Sequence, residues 1–169
     1  RRINMVFSGL LFLFRFLPIF FICYFVAPKR MRNLVLFLGS LIFYAWGEPR
    51  NIALMILSIL FNFIVALHID KCEKEKYRKA LLIFSLAFNL GLLGFYKYSG
   101  FVTDNLGNIF GVSLNFSGPA LPIGISFYTF QALSYVIDVY RKDTRCQESL
   151  MDFALYITMF PQLIAGPIV

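Results

Sequence analysis

Six apolar stretches run almost end to end through this chain, at residues 5 to 27, 33 to 46, 51 to 69, 80 to 99, 121 to 140 and 150 to 169, each bounded by charged or Gly/Pro/Asn-rich segments. An α-helix needs about 20 apolar residues to cross a bilayer core of ~30 Å. Five of the stretches have that length, whereas residues 33 to 46 number fourteen and read as short, tilted or re-entrant. A transmembrane barrel is excluded, because it needs segments of roughly ten residues in strict apolar/polar alternation. Runs such as Leu10-Leu11-Phe12-Leu13-Phe14 have none. With 59% hydrophobic residues, 21 Phe and only 15% charged residues, the chain also lies far from soluble-domain composition. The expectation is all-α: one membrane domain over residues 1 to 169, a polytopic transmembrane helical bundle of about six spans.

The net charge of +7 raises nucleic acid as a partner, but the basic residues sit where helices meet water, which points to the lipid bilayer instead. With six crossings, eleven of them share one side (Lys29, Arg30, Arg32, the loop at 70 to 79, and Arg141, Lys142 and Arg145) against four on the other. If residues 33 to 46 do not cross, the count is ten against five. The positive-inside rule makes the loops at 70 to 79 and 141 to 149 cytoplasmic in both cases. Arg1-Arg2 before an apolar run imitates a secretion signal, yet the run is long, contains Arg15 and Pro18, and lacks a small-residue cleavage site. It reads as a retained first helix, with Met5 as a natural start.

Cys23 lies within the first stretch and Cys72 and Cys146 in cytoplasmic loops, so no disulfide framework is implied. Three scattered cysteines and one distant histidine lack the clustered spacing of a metal site. His68 is that histidine, and it reads as an interfacial ring. Arg15, near the middle of the first stretch, costs ~2.5 to 3.5 kcal/mol on insertion scales unless paired or hydrated, so a partner is expected. The segment from Asp70 to Lys79 mixes signs at helical spacing and reads as a solvated helix extension with several i,i+4 pairs. Residues 101 to 118, rich in Asn, Gly and Ser, read as an external loop with room for a short surface helix.

The stretch LPIGISFYTFQALSYVIDVYR, residues 121 to 141, is apolar enough for a bilayer but carries a polar stripe. At 100° per residue, Gly124, Tyr128, Gln131, Tyr135 and Asp138 fall within an arc of about 80°, with Phe127, Phe130, Leu133 and Val136 over much of the remainder. That arc should face protein or water. Asp138 either lines a cavity or, three residues from Arg141, reaches the interface. In the last stretch, Pro161-Gln162 and Gly166-Pro167 should break the helix, which a membrane tolerates where the freed backbone is buried in protein or lines a cavity. Transporters and membrane enzymes both use this arrangement.

Six ordered pieces together resemble the membrane-bound O-acyltransferase superfamily, specifically its alginate O-acetyltransferase branch. These are Met5-Val6-Phe7-Ser8 leading into LLFLFRFLPIFF; PKRMRNLVL; the aromatic turn from Phe43 to Pro49; LGLLGFYKY; LPIGISFYTFQALSYVIDVYR; and DFALYITMFPQLIAGPIV. The resemblance implies an enzyme of the bacterial inner membrane. It would move an acetyl group from a cytoplasmic donor, acetyl-CoA or another acyl carrier, to hydroxyls of an exported polysaccharide, aided by periplasmic partner proteins. Tyr128, Gln131, Tyr135, Asp138 and Gln162 are then candidates for lining a substrate tunnel. The family's catalytic histidine belongs to a later basic-Trp-His segment that does not occur here. No catalytic residue is therefore assigned, and the chain reads as an N-terminal portion. Arg15 departs from the apolar residue usual in the family. D-alanyl transfer to teichoic acid, half of a transporter or flippase, and a noncatalytic scaffold are the other readings.

Overall fold

The computed structural model describes residues 12–47, 49, 51–110, 122 and 124–159. Its regular elements are all helical: α1 (Leu17–Val26), α2 (Arg32–Gly47), α3 (Ile52–Lys71), α4 (Glu75–Phe110), α5 (Ile125–Arg141) and α6 (Leu150–Thr158). A π-helical turn at Phe12–Phe16 leads into α1, and a 3-10 turn at Lys29–Met31 joins α1 to α2. Pro18, in the first turn of α1, accounts for the wide entry. Its ring crowds the carbonyl four residues back and it has no N–H to offer, so a looser turn relieves the clash.

Among the described residues, two helices, α3 and the Glu75–Ser99 part of α4, are long and apolar enough to cross a membrane, and Phe14–Val26 and Arg32–Trp46 form shorter apolar helices. The 16 residues of α2 span ~24 Å, short of a ~30 Å core. The Pro- and Gly-broken segment from Pro161 onward lies outside the described residues, as do residues 5 to 11 and 111 to 121.

Helix α5 occupies the centre, packed against α3 and α4, while α6 rests on α2 and α3, and α1 on α2. That placement alters the expected two-faced α5. Phe127 and Phe130 are exposed as expected, but Leu133 and Val136 are buried, and Val136 packs with Val65, Ala66 and Ile69 of α3. A central helix needs apolar contacts on more than one flank.

Helix α4 overturns a second expectation. It runs unbroken for 36 residues, so residues 101 to 110 continue the helix instead of opening the external loop. Composition hid this: Asn and Gly suggested a loop, whereas Val102, Leu106 and Ile109 recur at i, i+4 and i+7 as a helix requires.

The charged stretch at 70 to 79 is also not one solvated helix. Residues 72–74 form the turn between α3 and α4, and among the described residues none of its charges forms an ion pair. Arg78 is instead largely buried: its guanidinium donates to the Tyr140 carbonyl at the end of α5 and lies 5.2 Å from the Tyr140 ring centre. A cation on the last carbonyls of a helix satisfies acceptors that have no partner within it.

An internal clasp holds α3 to α4. The sequence Ser58-Ile59-Leu60-Phe61-Asn62 on α3 has a counterpart in Ser85-Leu86-Ala87-Phe88-Asn89 on α4. Asn62 and Asn89, both fully buried, exchange amide hydrogen bonds: Nδ2 of Asn62 donates to Oδ1 of Asn89 at 3.1 Å, and Nδ2 of Asn89 returns one to Oδ1 of Asn62 at 2.8 Å. Each amide also donates to the carbonyl of its own serine, at 2.9 Å for Ser58 and 2.8 Å for Ser85. Ser85 Oγ adds a bond of 3.1 Å to Asn62 Oδ1. The rings of Phe61 and Phe88 meet at 3.9 Å between centres. The same five-residue pattern thus pairs with itself across antiparallel helices, so that amide meets amide and ring meets ring. Reciprocal side-chain bonds are a specific way to join helices where the apolar effect gives little discrimination between neighbours.

The connections from α1 to α2, α3 to α4 and α5 to α6 gather at one end of the bundle. Asn33, at the start of α2, donates to Asp152 near the start of α6 at 2.8 Å, and Arg78 ties the start of α4 to the end of α5. The basic residues of all three connections therefore share that end. Trp46 lies at the other.

Arg15 differs from its expected setting. Phe16 packs against Phe43, their tilted rings 5.6 Å apart between centres, and Phe20 presses on Gly39. Since α1 and α2 are antiparallel, Arg15 lies near the Trp46 end of α2. Its side chain is exposed, and among the described residues it has no ion pair.

Candidate functional site

The polar residues of α5 take different positions along a line from the core to the basic end of the bundle. Gly124 precedes the helix at φ 74, a left-handed conformation in which a Cβ would be strained, and so it sets the entry angle of α5. Tyr128 is fully buried in the cluster containing Met55, Ile59, Phe153 and Ile157. Gln131 donates from Nε2 to the Tyr156 carbonyl of α6 at 2.8 Å, bridging two helices.

Tyr135, one turn on, packs its ring on Phe153 at 4.7 Å between centres. Its hydroxyl accepts from the Gln147 N–H at 2.7 Å and lies 3.6 Å from the Cys146 sulfur. It therefore pins the turn of residues 142–149 to the helix. That turn starts from Lys142, whose left-handed φ of 64 lets the Asp143 N–H return to the Asp138 carbonyl at 3.0 Å. It ends at Ser149, whose Oγ accepts from the Asp152 N–H and caps α6.

Between the turn and the two helices lies a cleft of about 650 Å³. Tyr135 and Asp138 form its α5 wall, Asp152 and Tyr156 its α6 wall, and Arg145 and Glu148 its rim. Its ionisable lining carries three carboxylates, Asp138, Glu148 and Asp152, and one guanidinium. Such a balance favours neutral or cationic groups over a polyphosphate. Partial burial pushes the Cys146 thiol above its ordinary pKa, opposed by the Tyr135 hydroxyl, so it stays protonated near neutrality.

The structure thus brings Tyr135 and Asp138 together on the cleft and places Gln131 and Tyr128 in contacts between helices. Gln162 lies outside the described residues. His68 is exposed at the end of α3, and its Nδ1 is 2.7 Å from the Ile64 carbonyl, an ordinary within-helix contact. Sequence reasoning passed over Arg78 and the Asn62–Asn89 clasp. The repeated Ser-x-x-Phe-Asn pattern was a visible signal for the clasp. Nothing in the local sequence marked Arg78 out from the lysines around it.

The chain is similar over 97% of its length to probable alginate O-acetylases of Pseudomonas aeruginosa, at 41% identity, and Pseudomonas putida, at 42%, and covers 32% and 35% of those proteins. It is 34% identical to a peptidoglycan O-acetyltransferase of Helicobacter pylori, over 98% of this chain and 37% of that protein. It thus spans about a third of the length of the curated relatives it matches. No family model matches the chain, and no solved structure does. Along nearly all of its residues, the chain is thus similar to a part of proteins named as probable alginate O-acetylases.

Proposed function

We propose that this chain forms the front membrane portion of a bacterial enzyme that transfers acetyl groups to hydroxyls of an exported polysaccharide. The observation that carries the reading is the 41 to 42% identity, along nearly the whole chain, to proteins named as alginate O-acetylases. The gathering of the basic connections at one end of the bundle supports a multi-pass topology with that end in the cytoplasm of the inner membrane.

In this reading the acyl donor, acetyl-CoA or another acyl carrier, approaches from the basic end. The lysines and arginines of 71–79 and 141–145 attract its anionic part, while the carboxylate-rich cleft suits its uncharged acyl arm. Tyr135 and Asp138 border the way in. The general base that activates the acceptor hydroxyl belongs to a part of the enzyme beyond these residues. Periplasmic proteins receive the acetyl group or present the polymer.

The test is expression of the complete open reading frame in a host whose own acetylation genes are deleted, with the O-acetyl content of exported polymers read by NMR. Acetyl esters on a uronic-acid polysaccharide are expected. Acetyl on peptidoglycan alone would move the acceptor, D-alanyl esters would move the donor class, and no ester on any polymer would refute the enzyme reading.

A further inference from the structure

We propose that the groove between α1 and α2 is a binding site for one anionic glycerophospholipid of the leaflet facing away from the basic turns. The groove encloses about 570 Å³. Phe20 and Gly39 form its floor, Ile19 and Cys23 one wall, and Leu38 and Ile42 the other. Its lining is apolar except at one end, where Arg15 and Trp46 flank the mouth.

Three observations select the occupant. First, the floor exists because Gly39 has no side chain: a Cβ there would collide with the Phe20 ring. The two helices therefore meet along that line, leaving a furrow open to the side. Second, the charge sits where a lipid head would be. Arg15 lies near the Trp46 end of α2, ~21 Å of helix from the basic turn at Lys29, and its long side chain can extend outward to the headgroup depth that tryptophan favours. Arg15 is exposed and among the described residues has no carboxylate partner. A guanidinium is the side chain best shaped to hold a phosphate diester through paired N–H donors. Third, the length matches. From Arg15 to Cys23 the groove follows eight residues of helix, ~12 Å, close to the depth of one leaflet's hydrocarbon. A phosphate on Arg15 thus places its acyl chain along Ile19, Phe20 and Ile42, pointing to the bilayer centre. The cation, costly to a helix in hydrocarbon, becomes the recognition element.

The test uses the complete protein, purified in mild detergent, delipidated, and incubated with phosphatidylglycerol or with phosphatidylcholine of the same chains. Bound lipid is counted by native mass spectrometry. One phosphatidylglycerol should be retained with about fivefold preference over phosphatidylcholine. Arg15→Gln should abolish the preference. It makes α1 easier to insert, so misfolding cannot explain a loss, and a single symmetric peak on size exclusion checks this. Ile42→Trp, which fills the furrow, should reduce retention of both lipids, and Lys76→Gln, at the opposite end, should leave the preference intact. Equal retention of the two lipids, an unchanged preference in Arg15→Gln, or retention of neither lipid because another part of the protein fills the furrow would each overturn the site.

Discussion

Replacing Asn62 by leucine tests the clasp between α3 and α4. The substitution preserves approximate volume and removes three bonds between the helices: the two exchanged with Asn89 and the one from Ser85. Side-chain bonds between membrane helices average ~0.6 kcal/mol in double-mutant cycles. Asn62→Leu should therefore cost about 1.8 kcal/mol and Asn89→Leu, which spares the Ser85 bond, about 1.2 kcal/mol. The double variant loses the same three bonds as Asn62→Leu and should again cost about 1.8 kcal/mol, leaving a coupling of about 1.2 kcal/mol between the sites. Asn89 keeps its bond to the Ser85 carbonyl when Asn62 is lost, but its other N–H and the buried Ser85 hydroxyl lose their acceptor, so the cost is at least this sum. The measurement is reversible unfolding of the complete protein in bicelles by steric trapping, for the wild type and the three variants. Additive effects, with coupling under about 0.3 kcal/mol, would refute the clasp.

Other outcomes follow from single contacts. Arg78→Met removes a charged hydrogen bond and a ring contact and should lower stability by about 2 kcal/mol, with faster proteolysis at residues 142–149; equal proteolysis of the two proteins would contradict the tie to Tyr140. Ser149→Ala should cost about 1 kcal/mol through loss of the α6 cap, and Ser149→Asp should restore it, as read by thermal melting. The raised Cys146 pKa sets a sign for pH dependence: burial favours the thiol, so this stabilisation is complete below the ordinary cysteine pKa of about 8.5 and fades as pH rises through the folded value. The maleimide rate at Cys146, in a protein lacking the other thiols, should therefore still be climbing above pH ~8.5; a plateau below that value would contradict it.

The sequence made the helices legible because each apolar run had to satisfy its own backbone groups, and the boundaries of α3 and α5 fell close to their expected places. What it concealed depends on neighbours. The burial of Leu133 and Val136 follows from α5 being flanked by both α3 and α4, which periodicity on one helix does not reveal. The surroundings of Arg15 depend on how α1 lies against α2, which counting along α1 alone does not reveal. Asn62 and Asn89 each looked like one polar residue in an apolar run, and their meaning emerges only as a pair. In the candidate site, the arc of α5 was visible, but its division into packing contacts and a cleft wall depends on the turn that folds back over Tyr135.

The 36 residues of α4 measure ~54 Å, against a hydrocarbon core of ~30 Å. Even a tilt of ~40° would leave part of the helix beyond the core. Residues 101–110 thus continue, without a joint, from the length that carries Ser85 and Asn89. A continuous helix resists bending far more than a loop does, so α4 acts as a beam tied to α3 near its middle by two amides and to α5 at its start by one guanidinium. Displacing either end of such a helix therefore moves its other end as well.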